Sequence, residues 1–343
     1  MRSKQPKAIA LLSGGLDSSL AIAVVKAQGV EIEALHFYTG FSVVERHRRL
    51  GQEHGAYGDN IQRMGDWLGV PVYIIDISRE LLDVVLHPRY GYGANVNPCL
   101  DCHLLMLRKA RQYMEQVEAD FVITGEVLGQ RPMSQHRNAL RLLERESGLE
   151  GLLLRPLSAK LLPPTVPEKR GWVDRDKLYA FQGRSRKPQM RLAEKLGLEE
   201  YSQPAGGCLL TDENYARRFR DLVAHTDAEV LTPDDMMLLA IGRHFRISER
   251  AKCIVGRNEA ENNYLNRAGG DRARVMVRDH LGPVTLVEGM PSDEDKRVIA
   301  RITACYSDGR KEPEVAVVYR AHGKEEVWRV KPMPLREAHQ FMI

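Results

Sequence analysis

The stretch AIALLSGGLDSSLAIAVVKAQG, from Ala8 to Gly29, constrains this chain most. Apolar residues lead into Ser-Gly-Gly, and helical spacing follows at once. That order predicts a buried strand, a tight loop and a helix. Two glycines let backbone amides turn toward an anion, and the helix amino terminus adds partial positive charge. Ser13, Ser18 and Ser19 add hydroxyl donors beside Gly14 and Gly15. Asp17 is discordant, because a bare carboxylate repels phosphate. It becomes sensible with Mg²⁺ between the two. The loop lacks the G-x-x-x-x-G-K-[ST] pattern of the common nucleotide hydrolases. The bland alternative is a strand–helix turn with Asp17 as a cap.

The same alternation continues downstream. Lys7–Leu12, Ile32–Phe37, Val72–Ile77 and Phe121–Thr124 read as strands, while 18–27, 61–68 and 104–117 read as helices. Strands alternating with helices predict an α/β fold with a doubly wound parallel sheet. Ligands then bind beyond the carboxyl ends of the strands, where Ser13–Asp17 and Thr124–Glu126 both fall. LLPPTVPEKRG (161–171) reads as a loop. Thr232-Pro233 followed by two aspartates reads as a helix start, which places a boundary near 230. The expected domains are 1–230 and a smaller α+β domain over 231–343, whose RARVMVRDHLGPVTLVEG and PEVAVVYRAHGKEEVWRVK segments alternate like strands.

A length of 343 residues suits about two domains. No window approaches the roughly 18 uninterrupted apolar residues of a membrane span, so no membrane partner is expected. The first apolar run is already strand, turn and helix, so a secretory signal is not expected either. From Ile241 to Ile343 there are 19 basic and 15 acidic residues, which accounts for the whole net charge of +4. That excess hints at a polyanion partner. Arg184, Arg186 and Lys187 form a further short basic run with even claims to be an RNA guide or a solvated face.

The five cysteines are Cys99, Cys102, Cys208, Cys253 and Cys305. An odd count with one Cys-x-x-Cys pair argues for thiol or metal chemistry in a reducing compartment, hence a cytoplasmic protein. Cys99 and Cys102 sit at a predicted helix start, which favours thiolate. Cys208 follows Gly-Gly. Three thiolates suit a [4Fe–4S] cluster with one open iron. Two suit a persulfide resolved through a disulfide. A zinc ribbon wants a fourth ligand, and His103 reads as an ordinary helix residue. Cys253 and Cys305 have no motif around them and read as buried or idle.

Ser13-Gly14-Gly15-Leu16-Asp17-Ser18-Ser19 resembles the PP-loop of N-type ATP pyrophosphatases, whose fold is HUP-like. The resemblance implies MgATP on this loop, with Gly125 and Glu126 also at the nucleotide. Asn97-Pro98-Cys99…Cys102 and Gly206-Gly207-Cys208-Leu209-Leu210-Thr211 are similar to the cysteine motifs of tRNA 2-thiouridylases. Those enzymes usually carry Asn-Pro-Asp-x-x-Cys, so Cys99 stands where Asp is typical, and the third thiol favours the cluster. TGEVLGQRPMSQ (124–135) resembles a segment of tRNA 4-thiouridine synthetases. GRHFR (242–246) and CIVGRNEAENNYLNRAG (253–269) resemble NFACT-R RNA-binding domains. That likeness puts forward Arg243, Arg246, Arg257, Asn258, Asn262 and Tyr264 as RNA contacts.

The expected function is ATP-dependent tRNA thiolation. Asp17 serves catalysis through Mg²⁺, and Cys99, Cys102 and Cys208 handle sulfur or iron. The partners are tRNA and a sulfur donor, either free sulfide or a cysteine desulfurase. The rivals are a PP-loop sulfur transferase acting on a small-molecule cofactor and a non-catalytic RNA-binding quality-control protein.

Overall fold

The computed structural model describes residues 5–51, 57–198, 201, 207–268 and 270–343. In chain order its longer elements begin with β1 (Lys7–Leu11), α1 (Leu16–Lys26), β2 (Glu31–Tyr38), α2 (Val43–Arg49), α3 (Tyr57–Leu68) and β3 (Val72–Asp76). Then come α4 (Ser78–Leu86), α5 (Cys99–Gln116), β4 (Phe121–Ile123), α6 (Arg137–Ser147), β5 (Leu153–Leu154), α7 (Val166–Lys169) and α8 (Lys187–Leu196). The remainder is α9 (Glu213–His225), α10 (Pro233–Leu238), β6 (Arg243–Ser248), β7 (Ala251–Val255), α11 (Glu259–Ala268), β8 (Arg274–Val277), β9 (Thr285–Gly289), α12 (Asp293–Cys305), β10 (Val315–Ala321), β11 (Lys324–Val330) and α13 (Leu335–Ala338).

The chain forms two compact units, 1–39 with 54–207, and 40–53 with 208–343. The first is a five-stranded sheet in the order β3-β2-β1-β4-β5. The strands run parallel, with Ala10 opposite Ala34 on one side and Ile123 on the other. The pleat explains the two layers. Ala8 and Ala10 join Leu16 and Leu20 of α1, Ile61 and Met64 of α3, and Leu192 of α8. Ile9 points the other way, toward Leu104 and Leu107 of α5 and Leu143 of α6. Helices on both faces make the sheet doubly wound, as the alternation predicts.

The sequence boundary at 230 is corrected to 207/208. Residues 208–230 belong with the second unit because α9 is tied there. Tyr215 Oη donates to Met236 O at 2.9 Å, and Arg218 Nη1 donates to Leu239 O at 2.9 Å. Residues 40–53 join the same unit, with Arg46 Nε on Ala240 O at 3.0 Å and Leu50 beside Met237 and Tyr264. The rest is a six-stranded antiparallel sheet, β11-β10-β8-β9-β7-β6. Helix α12 covers one face through Ile299 and Ile302, which meet Phe245, Cys253, Val275 and Val317. Cys253 and Cys305 are therefore core residues, and burial pushes both thiols up.

One local reading needs correction. The proline-rich segment holds α7, begun by a Thr165/Glu168 capping box with Pro167 in its first turn. Strand β3 is an edge strand with Tyr73 and Ile74 exposed. Thr232 does cap α10, with Asp235 completing the box.

At the carboxyl end of β4 the backbone passes very close to the first turn of α1. A Cβ on Gly125 would lie 2.4 Å from Ser18 N and 2.5 Å from the Asp17 carbonyl carbon. Backbone cannot swing aside as a side-chain tip can. Gly125→Ala is expected to destabilise the protein by about 1–3 kcal/mol through overpacking. Denaturant unfolding with an unchanged slope checks this.

Candidate functional site

The loop after β1 has the form a phosphate cradle needs. Gly14 takes φ 74°, open to glycine without a Cβ penalty, and Gly15 is the extended cap of α1. The serines knit the loop: Ser18 Oγ donates to Gly15 O at 2.9 Å, and Ser19 Oγ donates to the same oxygen at 3.1 Å. Gly15 N donates to Ser13 Oγ at 3.3 Å. Ser13 itself is exposed.

Asp17 stands in the first turn of α1. Its Oδ2 accepts from Gln130 Nε2 at 3.0 Å. Asp17 Oδ1 and Gln130 Oε1 are buried and have no hydrogen-bond partner among the described residues. Two orphaned hard oxygens beside a phosphate-type loop fit Mg²⁺, which takes oxygen ligands. Gln130 is a site residue the sequence reading missed, although it lies inside TGEVLGQ.

The segment Thr124-Gly125-Glu126 links this loop to the cysteines. Gly125 lies against Asp17, whereas Glu126 turns away. Glu126, put forward for the nucleotide, has its carboxylate engaged by protein groups. Its Oε2 accepts from Arg155 Nε at 2.8 Å and from Thr124 Oγ1 at 3.0 Å, and its Oε1 lies 3.3 Å from His103 Nδ1. Arg155 is fully buried, pairs also with Glu144, and donates to Leu140 O at 3.3 Å. His103 stands one helical turn after Cys99 on α5, and His103, with Ser134 and Arg131, favours the charged form of the Cys99 thiol.

Burial penalises each charge in this row, and neighbours overturn that penalty. Burial pushes the Glu126 carboxyl up, but Arg155 and His103 bring it down to about 2. Burial lowers His103, but Cys99 and Glu126 raise it to about 9. Burial raises Cys99, but the His103 hydrogen bond and charge bring it down to about 7. At neutral pH the row runs Arg⁺, Glu⁻, His⁺ and a Cys99 divided between thiol and thiolate. His103 was set aside in the sequence reading. Its i, i+4 spacing from Cys99 is the signal that finds it.

Cys102 shares the first turn of α5, with its amide donating to Pro98 O at 2.9 Å. Cys208 belongs to the second unit, where it bridges to Ser42 and Leu209 N donates to Phe41 O at 2.8 Å. Gly206 lies outside the described residues. Among the described residues no three His, Cys, Asp or Glu side chains gather to hold a metal, and of the three cysteines put forward for a cluster, Cys99 and Cys102 belong to the first unit and Cys208 to the second.

The motif residues put forward for RNA are mostly occupied within the second unit. Arg246 makes a two-pronged pair with Asp221 at 3.0 and 2.6 Å. Arg257 clasps Glu261, and Asn258 Oδ1 accepts from Glu261 N at 3.0 Å. Asn262 Oδ1 accepts from Val284 N at 3.0 Å. Tyr264 is 6% exposed, which removes its ring from stacking on a base. Arg243 lies 4.8 Å over the Tyr306 ring. In the first unit Arg184 and Lys187 are exposed, while Arg186 keeps a buried Nε without a partner among the described residues. No helix of the described residues is long and apolar enough to cross a membrane.

Glu126→Gln leaves the buried Arg155 short of its main counter-charge. The expected loss is about 3 kcal/mol, the lower end for a broken buried pair because Glu144 remains. Denaturant unfolding reads it out.

Comparison with known proteins matches different families toward the two ends of the chain. Residues 3–160 match the family model for the thiamine biosynthesis protein (ThiI), and residues 242–342 match that for the NFACT protein RNA binding domain. The chain is 23% identical over 295 residues to the tRNA-specific 2-thiouridylase MnmA of Brucella canis, covering 80% of this chain and 68% of that one. The Brucella suis protein of the same name gives the same figures. A 4-thiouridine synthetase crystallised with RNA and ATP is similar over 56% of this chain and 52% of its own, at 20% identity and TM-score 0.32. Over residues 3–160 the chain is thus similar to the ThiI family and over 242–342 to the NFACT RNA-binding domain, with tRNA 2-thiouridylases among its relatives.

Proposed function

We propose that this chain is an ATP-dependent tRNA sulfurtransferase. The observation that carries the reading is the reach of Thr124–Glu126, which touches the phosphate loop through Gly125 and the Cys99–His103 pair through Glu126. A nucleotide loop and a nucleophile site on one backbone turn suit activation followed by displacement. ATP lies on Ser13–Ser19, with amides of Gly14 and Gly15 toward the phosphates. Asp17 and Gln130 hold Mg²⁺, which offsets phosphate charge when bound. A carbonyl oxygen of a uridine or cytidine attacks the α-phosphorus, and pyrophosphate leaves. The base then carries AMP in place of a poor oxide leaving group. A sulfur nucleophile displaces AMP at the same carbon. Stacked bases are out of reach of such a site, so the target is flipped out.

The family match and the names of the relatives support tRNA as the substrate. The RNA-binding family match supports a second RNA contact in the unit 208–343. Arg184 and Lys187 remain exposed cations for the phosphate backbone, and the sulfur comes from a sulfide or persulfide donor. The description of the ThiI family favours a second reading, sulfur transfer toward a small-molecule cofactor. Mass spectrometry of tRNA nucleosides, with and without the gene, decides between them.

Asp17→Asn removes a full charge from the Mg²⁺ position and leaves the loop shape alone. AMP and pyrophosphate formation is expected to fall by at least about a hundredfold, on the scale of a lost transition-state charge contact, while tRNA binding persists. Normal turnover by this variant overturns the role of Asp17. Separately, Arg184→Ser with Lys187→Ser is expected to flatten the salt dependence of tRNA affinity by about 1–2 in log–log slope. An unchanged slope in a filter-binding titration removes both residues from the RNA path.

A further inference from the structure

We infer that the groove between the start of α5 and helix α6 seats one nucleotide of a single-stranded RNA segment, with the strand's phosphates on the arginines of α6. The inference rests on the thiolation reading and deepens it, because it gives the substrate strand a path. Helix α6 has two faces. Leu140, Leu143 and Ser147 are buried, whereas Arg137, Arg141 and Arg145 recur every four residues and are exposed. Residues four apart on a helix stand one above the other. Four residues rise about 6 Å, which suits the step between successive phosphates of an extended strand.

An exposed basic row is ordinarily balanced by carboxylates, and here the balance is missing. Arg141 has no hydrogen bond or ion pair among the described residues. Arg137 Nη1 donates to a carbonyl, Leu161 O, at 3.0 Å. Arg145 pairs with Glu146 at 3.0 Å, but Arg89 takes the same carboxylate at 3.0 Å. Arg108 Nε adds a further cation there, donating to Glu146 O at 3.1 Å. Glu144, the other acidic residue of α6, is turned to the buried Arg155. Asp101 of α5 is turned to Tyr90 N at 3.0 Å. The surplus charge on this face is therefore positive.

The same arginines border an apolar groove. It has a volume of about 330 Å³ and is lined by Leu100, Ala139 and Leu142 together with His136, Arg141 and Arg145. That is the small end of ligand sites, with room for one nucleoside and none for a duplex. A base packs its flat face on aliphatic side chains and guanidinium planes while its phosphates stay on the cations. His136 Nδ1 accepts from Ala139 N at 3.2 Å, which puts the ring proton on Nε2 as a donor. An acidic peptide would satisfy the arginines but brings no flat face to the groove. Leu100 follows Cys99 directly, so a strand held here runs to the cysteine-bearing turn of α5.

The test uses the full chain and unfractionated tRNA in a filter-binding titration over a range of salt. Arg141→Ser with Arg145→Ser should weaken binding by about tenfold or more and lower the log–log salt slope by about 1–2. Both side chains are exposed, so the unfolding midpoint should hold. Arg141→Lys with Arg145→Lys should keep the slope. Leu142→Asn should weaken binding of a short oligouridylate by about fivefold or more and leave its salt slope alone. A 5-bromouridine oligomer photocrosslinked to the wild-type chain should mark the peptide carrying Leu142 or Leu100, which reads the seat even if Leu142→Asn folds poorly. Unchanged affinity and slope in the serine variant overturns the inference, as does crosslinking confined to other peptides. Retained tRNA binding with lost binding of poly-L-glutamate makes the row a protein-docking face and overturns it too. Lost tRNA binding in the serine variant, with no sulfur added to tRNA by the wild-type chain, sinks the thiolation reading and leaves the groove standing.

Discussion

The first unit depends on one close approach, that of Gly125 to the backbone of Asp17 and Ser18. It follows from strand order. In β3-β2-β1-β4-β5 the direction of winding reverses between β1 and β4. The two loops leaving these strands are therefore forced side by side, and a crevice opens where the covering helices diverge. The loop from β1 brings glycines and serines, and the turn from β4 brings Glu126. Any side chain at 125 would wedge the two apart. The proposed nucleotide loop and the Cys99–His103 pair thus meet on one backbone turn, Thr124–Glu126.

Much of this was legible in local pattern. Ser13–Ser19 is contiguous, and strand–helix alternation gives a parallel sheet wherever loops are short. The Cys99–His103 pair was also visible as an i, i+4 spacing, but it gains meaning only from Glu126 and Arg155. Those two lie 23 and 52 residues from His103, on different elements, and no spacing rule joins them. Gln130 was hidden for the same reason: it meets Asp17 across the sheet end.

The second unit is a different case. Arg246, Arg257, Asn258 and Asn262 carry the likeness to an RNA-binding family, and that likeness puts them forward as contacts. Most of their side chains hold the fold. Arg257 and Glu261 are a local helix pair that sequence alone suggests, whereas Arg246 meets Asp221 from α9. The true division at 207/208 was hidden because it depends on such distant ties, and because residues 40–53 leave the first unit between β2 and α3. A motif that identifies a fold need not list the residues that touch its ligand.

The buried Arg155–Glu126 pair is the costly part of the design. Removing two charges from water is expensive, and a matched apolar pair often stabilises a core as well or better. The pair therefore argues for a role beyond stability. Charge alternates along a single line from Arg155 to Cys99, each group holding the next in the form that burial opposes. Replacing the pair by leucines would leave packing and remove the field. His103 would then face Cys99 with no carboxylate behind it, and burial would win at both. The thiol would revert to a neutral, slow nucleophile in an otherwise intact fold.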